Sequence, residues 1–283
     1  STWDVSSVTD MGSMFYNADA FNQPLNDWDV SSVTNMNGMF AGADAFNQNI
    51  GIWDVTSVTD MSGMFQGASS FNQPIGDWDV SDVDDMYRMF FNAASFNQDI
   101  GDWDVSDVND MGWMFYYASS FNEDISDWDV SSVTNMRYMF ANASSFSEDI
   151  SDWDVNSVTD MNTMFAYASS FNEDISTWNV SSVTDMGYMF YKTTAFNQDI
   201  SGWCVTNIGT KPSAFSTFSA LSDNNKPAWS TCPDSTLGVN DQNLINVSLY
   251  PNPTDNTLFI SGNESAIAVA IYNVLGKEVL SIK

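Results

Sequence analysis

The chain has 283 residues, 43% of them hydrophobic, and sets 37 acidic side chains against seven basic ones for a formal net charge of −30. That balance repels phosphate backbones and excludes a nucleic-acid partner. Histidine is absent, which excludes Ser-His-Asp and Cys-His catalysis and every His-ligated metal site. No run approaches roughly 18 consecutive apolar residues, so no transmembrane segment is expected.

Tryptophan recurs at Trp3, Trp28, Trp53, Trp78, Trp103, Trp128, Trp153, Trp178 and Trp203, every 25 residues. All 16 methionines keep a second fixed phase, in pairs from Met11 and Met14 to Met186 and Met189. Phenylalanine holds two more, from Phe15 and Phe21 to Phe190 and Phe196. Residues 1–200 therefore read as eight copies of one unit.

One unit runs from Leu25 to Asn49. Trp28 and Val30 alternate with Asp27, Asp29 and Ser31, which predicts a short half-buried strand. After Val33 the period changes. Met36, Met39, Phe40, Ala43 and Phe46 stand at i, i+3, i+4, i+7 and i+10, which predicts a helix of two to three turns. Ser7 to Asp10 and Ser57 to Asp60 have the spacing of a capping box at its start. One such coil cannot close a core, whereas stacked coils bury their apolar positions as columns. The predicted fold class is thus an α/β repeat solenoid, with short parallel strands about 4.8 Å apart and short helices on the opposite wall.

Residues 201–233 keep Trp203, Val205 and Ile208 but lose the Met-x-x-Met-Phe pattern, and Pro212, Pro227 and Pro233 break any further coil. They read as a cap closed by a Cys204–Cys232 disulfide, which would imply an oxidising compartment. A redox or metal pair is the other reading of these two thiols. Residues 234–248 read as a linker. Residues 249–283 show alternating segments and Gly-Asn or Leu-Gly turns, which predict a small all-β segment. Ser1 stands just before the first tryptophan without a polar capping coil, which suggests a piece of a longer protein.

The pattern W-D-V-S-S-V-T-D-M-x-x-M-F-x-x-A-x-x-F-N resembles the repeat of BspA-like leucine-rich-repeat surface proteins of bacteria, over about residues 1–233. That resemblance implies a secreted or surface-attached protein with an adhesive or interaction role, and it brings no catalytic residues. Tyr250-Pro251-Asn252-Pro253 and Ile271-Tyr272-Asn273-Val274-Leu275-Gly276-Lys277 resemble the first half of the C-terminal sorting domain of the type IX secretion system of Bacteroidota. This second resemblance implies export across the outer membrane, with the secretion machinery as a partner.

Of the 37 acidic residues, 31 lie in residues 1–200. Asp4, Asp29, Asp54, Asp79, Asp104, Asp129 and Asp154 occupy the outward position between inward Trp and Val. Asp27, Asp77, Asp102, Asp127 and Asp152 lie two residues earlier on the same face. Neighbouring carboxylates at about 4.8 Å repel by ~3–4 kcal/mol at an effective dielectric of 20. Three accounts follow: screening by solvent and salt, binding of Ca²⁺ through oxygen ligands, or docking of a cationic partner or an ion-bridged glycan. No other cofactor is expected.

The Asn column that begins at Asn22 and Asn47 suits turn bonding, with a ligand role as the alternative. The Met pairs suit core filling more than soft-metal ligation. The second, third, sixth and seventh positions after each repeat's first Asp-Met step vary freely, as in Gly12-Ser13, Tyr87-Arg88, Gly112-Trp113 and Arg137-Tyr138. Among them Trp113, Tyr116, Tyr117 and Tyr138 could form an aromatic patch for sugar or protein.

No unit breaks the repeat with a distinctive acid, base or nucleophile, so the chain is not expected to be an enzyme. The leading expectation is a binding or adhesion scaffold whose acidic face meets host, substratum or neighbouring cells. A Ca²⁺- or lattice-organising surface, down to ice, is the alternative.

Overall fold

The computed structural model describes residues 3–233 and, beyond them, the strands Ser248–Tyr250, Phe259–Ser261, Val269–Tyr272 and Glu278–Ile282. Two compact units divide the chain, Ser1–Pro233 and Asp234–Lys283.

The first unit is a stack of 25-residue coils made of turns, not of strands and helices. Around one coil, three-residue-reach bonds follow each other: Trp28 N–H to Leu25 O, Val33 to Val30, Met39 to Met36, Ala41 to Gly38, Ala43 to Phe40 and Phe46 to Ala43. Alternate N–H groups of the same stretch leave the coil altogether. Met36, Gly38, Phe40 and Gly42 donate to the carbonyls of Asp60, Ser62, Met64 and Gln66 in the next coil, at 2.7–2.9 Å. Thr34 N–H points the other way, to Thr9 O in the coil before. The reversal makes a parallel bridge at each step, from Asp10↔Asn35 to Asp160↔Asp185.

This overturns the predicted α/β class. A helix over the Met-Phe stretch would need Phe40 N–H to reach Met36 O; it reaches Met64 O instead. Gly38 and Gly42 sit at φ +58° and +71°, the left-handed region where a turn's third residue belongs and a helix cannot continue. The i, i+3, i+4, i+7 spacing is real, but linked turns produce it. The predicted strand fails likewise, because Trp28 N–H folds back to Leu25 O and the following Asp29 opens another turn. The supposed capping residue Ser57 bonds the preceding coil, donating its hydroxyl to Ser31 O. Asp223–Asn225, a 3-10 turn in the cap, is the one helical segment among the described residues.

The apolar columns do bury as a continuous core. Val33, Met36, Met39, Phe40, Ala43 and Phe46 are fully buried, as are their counterparts in the following coils. Within a coil Phe40 and Phe46 stack at 3.9 Å, and across coils Phe40–Phe65 and Phe65–Phe90 stack at 5.8 and 5.7 Å. The indoles of the 25-residue tryptophan column from Trp28 to Trp203 are buried and Trp3 is exposed. From Trp53 onward each Nε1–H donates to an Ile or Leu carbonyl in the preceding coil, as Trp128 does to Ile100 O at 3.0 Å. A buried indole needs such an acceptor. The Asn column bonds the turns together: Asn47, Asn72, Asn97 and Asn122 N–H each donate to the preceding Asn Oδ1 at 2.7–3.0 Å.

The last coil is closed by residues 201–233. Tyr188, Phe190 and Lys192 N–H donate to Ser213, Phe215 and Thr217, one residue later in the repeat than elsewhere. Phe215 meets Phe190 edge-on at 5.4 Å and Trp229 at 4.9 Å, which ends the phenylalanine column. Cys204 and Cys232 form the expected disulfide, a cross-link worth ~3–4 kcal/mol for a loop of this length.

In the second unit Ser248–Tyr250 pairs antiparallel with Phe259–Ser261, and Val269–Tyr272 with Glu278–Ile282. These are two separate two-stranded ladders, not the single all-β segment predicted. The rest of 249–283 lies outside the described residues, and so does the linker expected at 234–248, apart from Ser248.

Candidate functional site

Two arcs of the coil carry the predicted site residues. On the first, every one of Asp4, Asp27, Asp29, Asp54, Asp77, Asp79, Asp102, Asp104, Asp127, Asp129, Asp152 and Asp154 is at least partly exposed, and the column from Asp4 to Asp154 is exposed throughout. That column does local work as well. Asp29 Oδ1 accepts from Ser31 N–H at 3.1 Å and from its hydroxyl at 2.7 Å, a side-chain turn that re-aims the chain after the buried Trp28 and before the buried Val33. Asp4, Asp54, Asp79 and Asp104 hold the same pair of bonds. Asp129 and Asp154 accept from the N–H of Ser131 and Asn156. The Ser side chain and then its N–H hold Asp4, Asp29, Asp79 and Asp129 below the ordinary carboxylate range. Coil eight uses Asn179 at this place, accepting from Ser181 N–H at 3.2 Å, so a neutral amide builds the same turn.

Asp27 accepts from Asn26 Nδ2 at 2.8 Å. Asp77 and Asp102 flank a shallow recess of about 220 Å³ with Pro74, Gln98 and Asp99. Among the described residues no group of three carboxylates or thiols gathers in a way that could hold a metal ion. The carboxylates run in rows, whereas Ca²⁺ asks for about 6–8 oxygens around one point. The methionines from Met36 to Met189 are buried among phenylalanines.

A third column, read in the sequence only as capping-box partners at Asp10 and Asp60, closes turns instead. Asp10, Asn35, Asp60, Asp85, Asp110, Asn135, Asp160 and Asp185 stand at the parallel bridges, and each Oδ1 accepts from the N–H two residues on, at 2.8–3.0 Å. Asp85 and Asp160 are partly buried, and loss of hydration raises both above the usual carboxylate range. Arg137 approaches Asp160 at 3.8 Å, and Asn135 Nδ2 donates to Asp110 at 2.9 Å. The signal was the recurrence of Asp or Asn before every first Met.

The second arc is the row of turns over the Met-Phe stretch. Here the structure brings the predicted aromatic patch together. Trp113 and Tyr138 stack at 3.9 Å, Trp113 lies 4.9 Å from Tyr116, and Tyr117 meets Tyr116 edge-on at 4.7 Å. Trp113, Tyr117 and Tyr138 project from left-handed turn positions, φ +57° to +61°. Sequence reasoning missed Phe91, 4.8 Å from Tyr116, and a second group in which Tyr191 lies 5.4 Å from Tyr167 and 5.6 Å from Tyr188. Aligning the units by their tryptophans would have found both, since each ring occupies one of the four variable positions.

No helix among the described residues is long and apolar enough to cross a membrane. No curated protein and no solved structure matches the chain. Residues 248–283 match the secretion system C-terminal sorting domain, which marks the protein for secretion or the cell surface and implies contact with the type IX secretion machinery. A repeat family matches three overlapping stretches, 1–89, 47–153 and 119–229. The chain thus belongs to the family described as Mycoplasma protein of unknown function, DUF285.

Proposed function

We propose that the protein is a non-catalytic binding scaffold held outside the cell, which docks cationic surfaces of host, substratum or neighbouring cells through its Asp columns. The supporting observation is the exposed carboxylate at one turn position in seven successive coils. Its Oδ1 is taken by the turn, while Oδ2 makes no hydrogen bond among the described residues. Such a row offers one acceptor per coil, and a multivalent partner can engage several at once. No carboxylate of the row differs from its copies in the way a catalytic acid would.

Asn179 supplies the test. Changing Asp29, Asp54, Asp79 and Asp104 to Asn keeps the turns and removes four charges. Binding to immobilised polylysine and to a basic matrix protein at physiological salt is expected to fall at least tenfold with the fold retained and only a small loss of Tm. Unaltered binding would overturn the reading. Repeating the assay in calcium and in chelator separates direct docking from ion-bridged attachment of a glycan.

A further inference from the structure

Residues 1–200 contain three basic side chains, Arg88, Arg137 and Lys192. All three stand on the turn arc, each over aromatic rings. The Arg88 guanidinium carbon lies 4.9 Å from the Tyr87 ring centre, 5.3 Å from Trp113 and 5.5 Å from Phe91. Arg137 lies 5.2 Å from Tyr138. Lys192 Nζ is 4.9 Å from Tyr167 and 5.5 Å from Tyr191.

In so acidic a stretch each cation would be expected to find a carboxylate. Only Arg137 does, at 3.8 Å from Asp160; among the described residues no ion pair engages Arg88 or Lys192. Arg88 Nε is buried without a hydrogen-bond partner. Two cations are therefore held on ring faces with their charge uncompensated, beside half-exposed indole and phenol rings. Arg88 and Lys192 are four coils apart, about 19 Å along the stack at ~4.8 Å per coil.

We infer that this arc binds an anionic polysaccharide, its carboxylates meeting Arg88 and Lys192 and its sugar rings packing against the outward edges of Trp113, Tyr116 and Tyr191. Neighbouring rings and cations take the faces, as Tyr138 and Arg88 do on Trp113, so the outward ring edges are the apolar surface left for a pyranose, and they need no cavity. A long ligand spans both clusters, and the second contact then forms at high effective concentration. The net negative charge of the protein opposes long-range capture, so recognition is short-range and demands the rings as well as the cations. This surface is distinct from the Asp columns and does not depend on their role.

The 283-residue chain is titrated with polygalacturonate in chelator, alongside the fully methyl-esterified polymer and poly-L-glutamate. Arg88→Gly, Trp113→Gly and Lys192→Gly are fold-compatible, because Gly38, Gly63, Gly42 and Gly67 already occupy those turn positions at positive φ. Polygalacturonate is expected to bind, with the ester and poly-L-glutamate at least tenfold weaker. Each glycine variant is expected to lose about tenfold, the scale of a desolvated cation–ring or stacking contact. The Asp-face Asn variant is expected to bind polygalacturonate normally. Absence of binding to polygalacturonate, equal affinity for the ester, equal affinity for poly-L-glutamate, full affinity in the glycine variants, or loss in the Asp-face variant would each overturn the proposal.

Discussion

The Trp-Asp-Val arc and the turn arc are passed by the same coil, yet one is spelled almost identically in every copy and the other is not. On the first, side chains carry the bonds between and within coils: Trp128 Nε1 to Ile100 O, Asp29 Oδ1 to Ser31. On the second, main chain carries them: Phe90 N–H to Met114 O, Asn92 N–H to Tyr116 O. Where the backbone joins the coils, the outward side chains are released, and one column can hold Gly38, Arg88, Trp113 and Tyr138. Diversity gathers where side chains have no structural duty, and that is where a ligand surface can be written.

The largest way to break this contrast is Trp128→Ala. It removes a buried indole and one of the two hydrogen bonds to the Ile100 carbonyl, which keeps only Trp103 N–H, so about 3–5 kcal/mol of stability should go, read by chemical denaturation. A loss below about 1 kcal/mol would mean the indole column is not what holds the coils. Ser147→Asn sharpens the comparison from the other side. Ser147 interrupts the Asn column, and in the following coil Asn172 N–H makes no hydrogen bond among the described residues. An amide oxygen at this place would accept it, as the Oδ1 of Asn122 accepts from Ser147 N–H one coil earlier. Restoring the amide should add about 1 kcal/mol.

Asp85→Asn follows. Burial raises the Asp85 pKa, so the folded state holds this proton more tightly than the unfolded one. Its carboxylate therefore weakens the fold above the folded pKa, and that deficit disappears as pH falls through it toward the unfolded value. Asp79 and Asp129 run the opposite way: their contribution is present above the unfolded pKa and lost as pH falls through the lowered folded one. The amide, already used at Asn35 and Asn135, should raise stability at neutral pH by about 0.5 kcal/mol, a gain limited by solvent screening. The gain should vanish as pH falls below the ordinary carboxylate range, which melts at neutral and acidic pH will show. The smallest effect belongs to the turn arc. Asn142→Gly, at φ +63°, should change stability by only a few tenths of a kcal/mol, and upward.

The inward residues were legible from period alone, because a 25-residue recurrence of Trp, Val, Met and Phe admits few explanations besides stacked coils. Local structure was not. Met36, Met39, Phe40 and Ala43 lie on one face of a helix, and they also point one way from a run of linked turns. The choice is made by the neighbouring coil, whose carbonyls replace the i−4 partner, and no single unit reveals it. Gly38 with Gly42, and Gly63 with Gly67, were the local warning, since paired glycines weaken a helix of that length. The Asp ladder was visible, but its reason was not: the Ser two residues on, read as part of a strand, is the donor that closes a turn. The aromatic patch was legible in part, through Trp113 and Tyr138; its cations became meaningful only once adjacent coils were laid side by side.

Each interior coil presents on one side the acceptors that it seeks on the other: Met61 N–H gives to Asp85 O, just as Met36 N–H gives to Asp60 O. Excising residues 51–75 would join Ile50 to Gly76 and leave equivalent partners facing each other across the seam. The protein can thus lengthen or shorten by recombination between like units, one whole coil at a time. An exchange that falls between Arg88 and Lys192 would re-space those cations along the stack, tuning reach without touching the core.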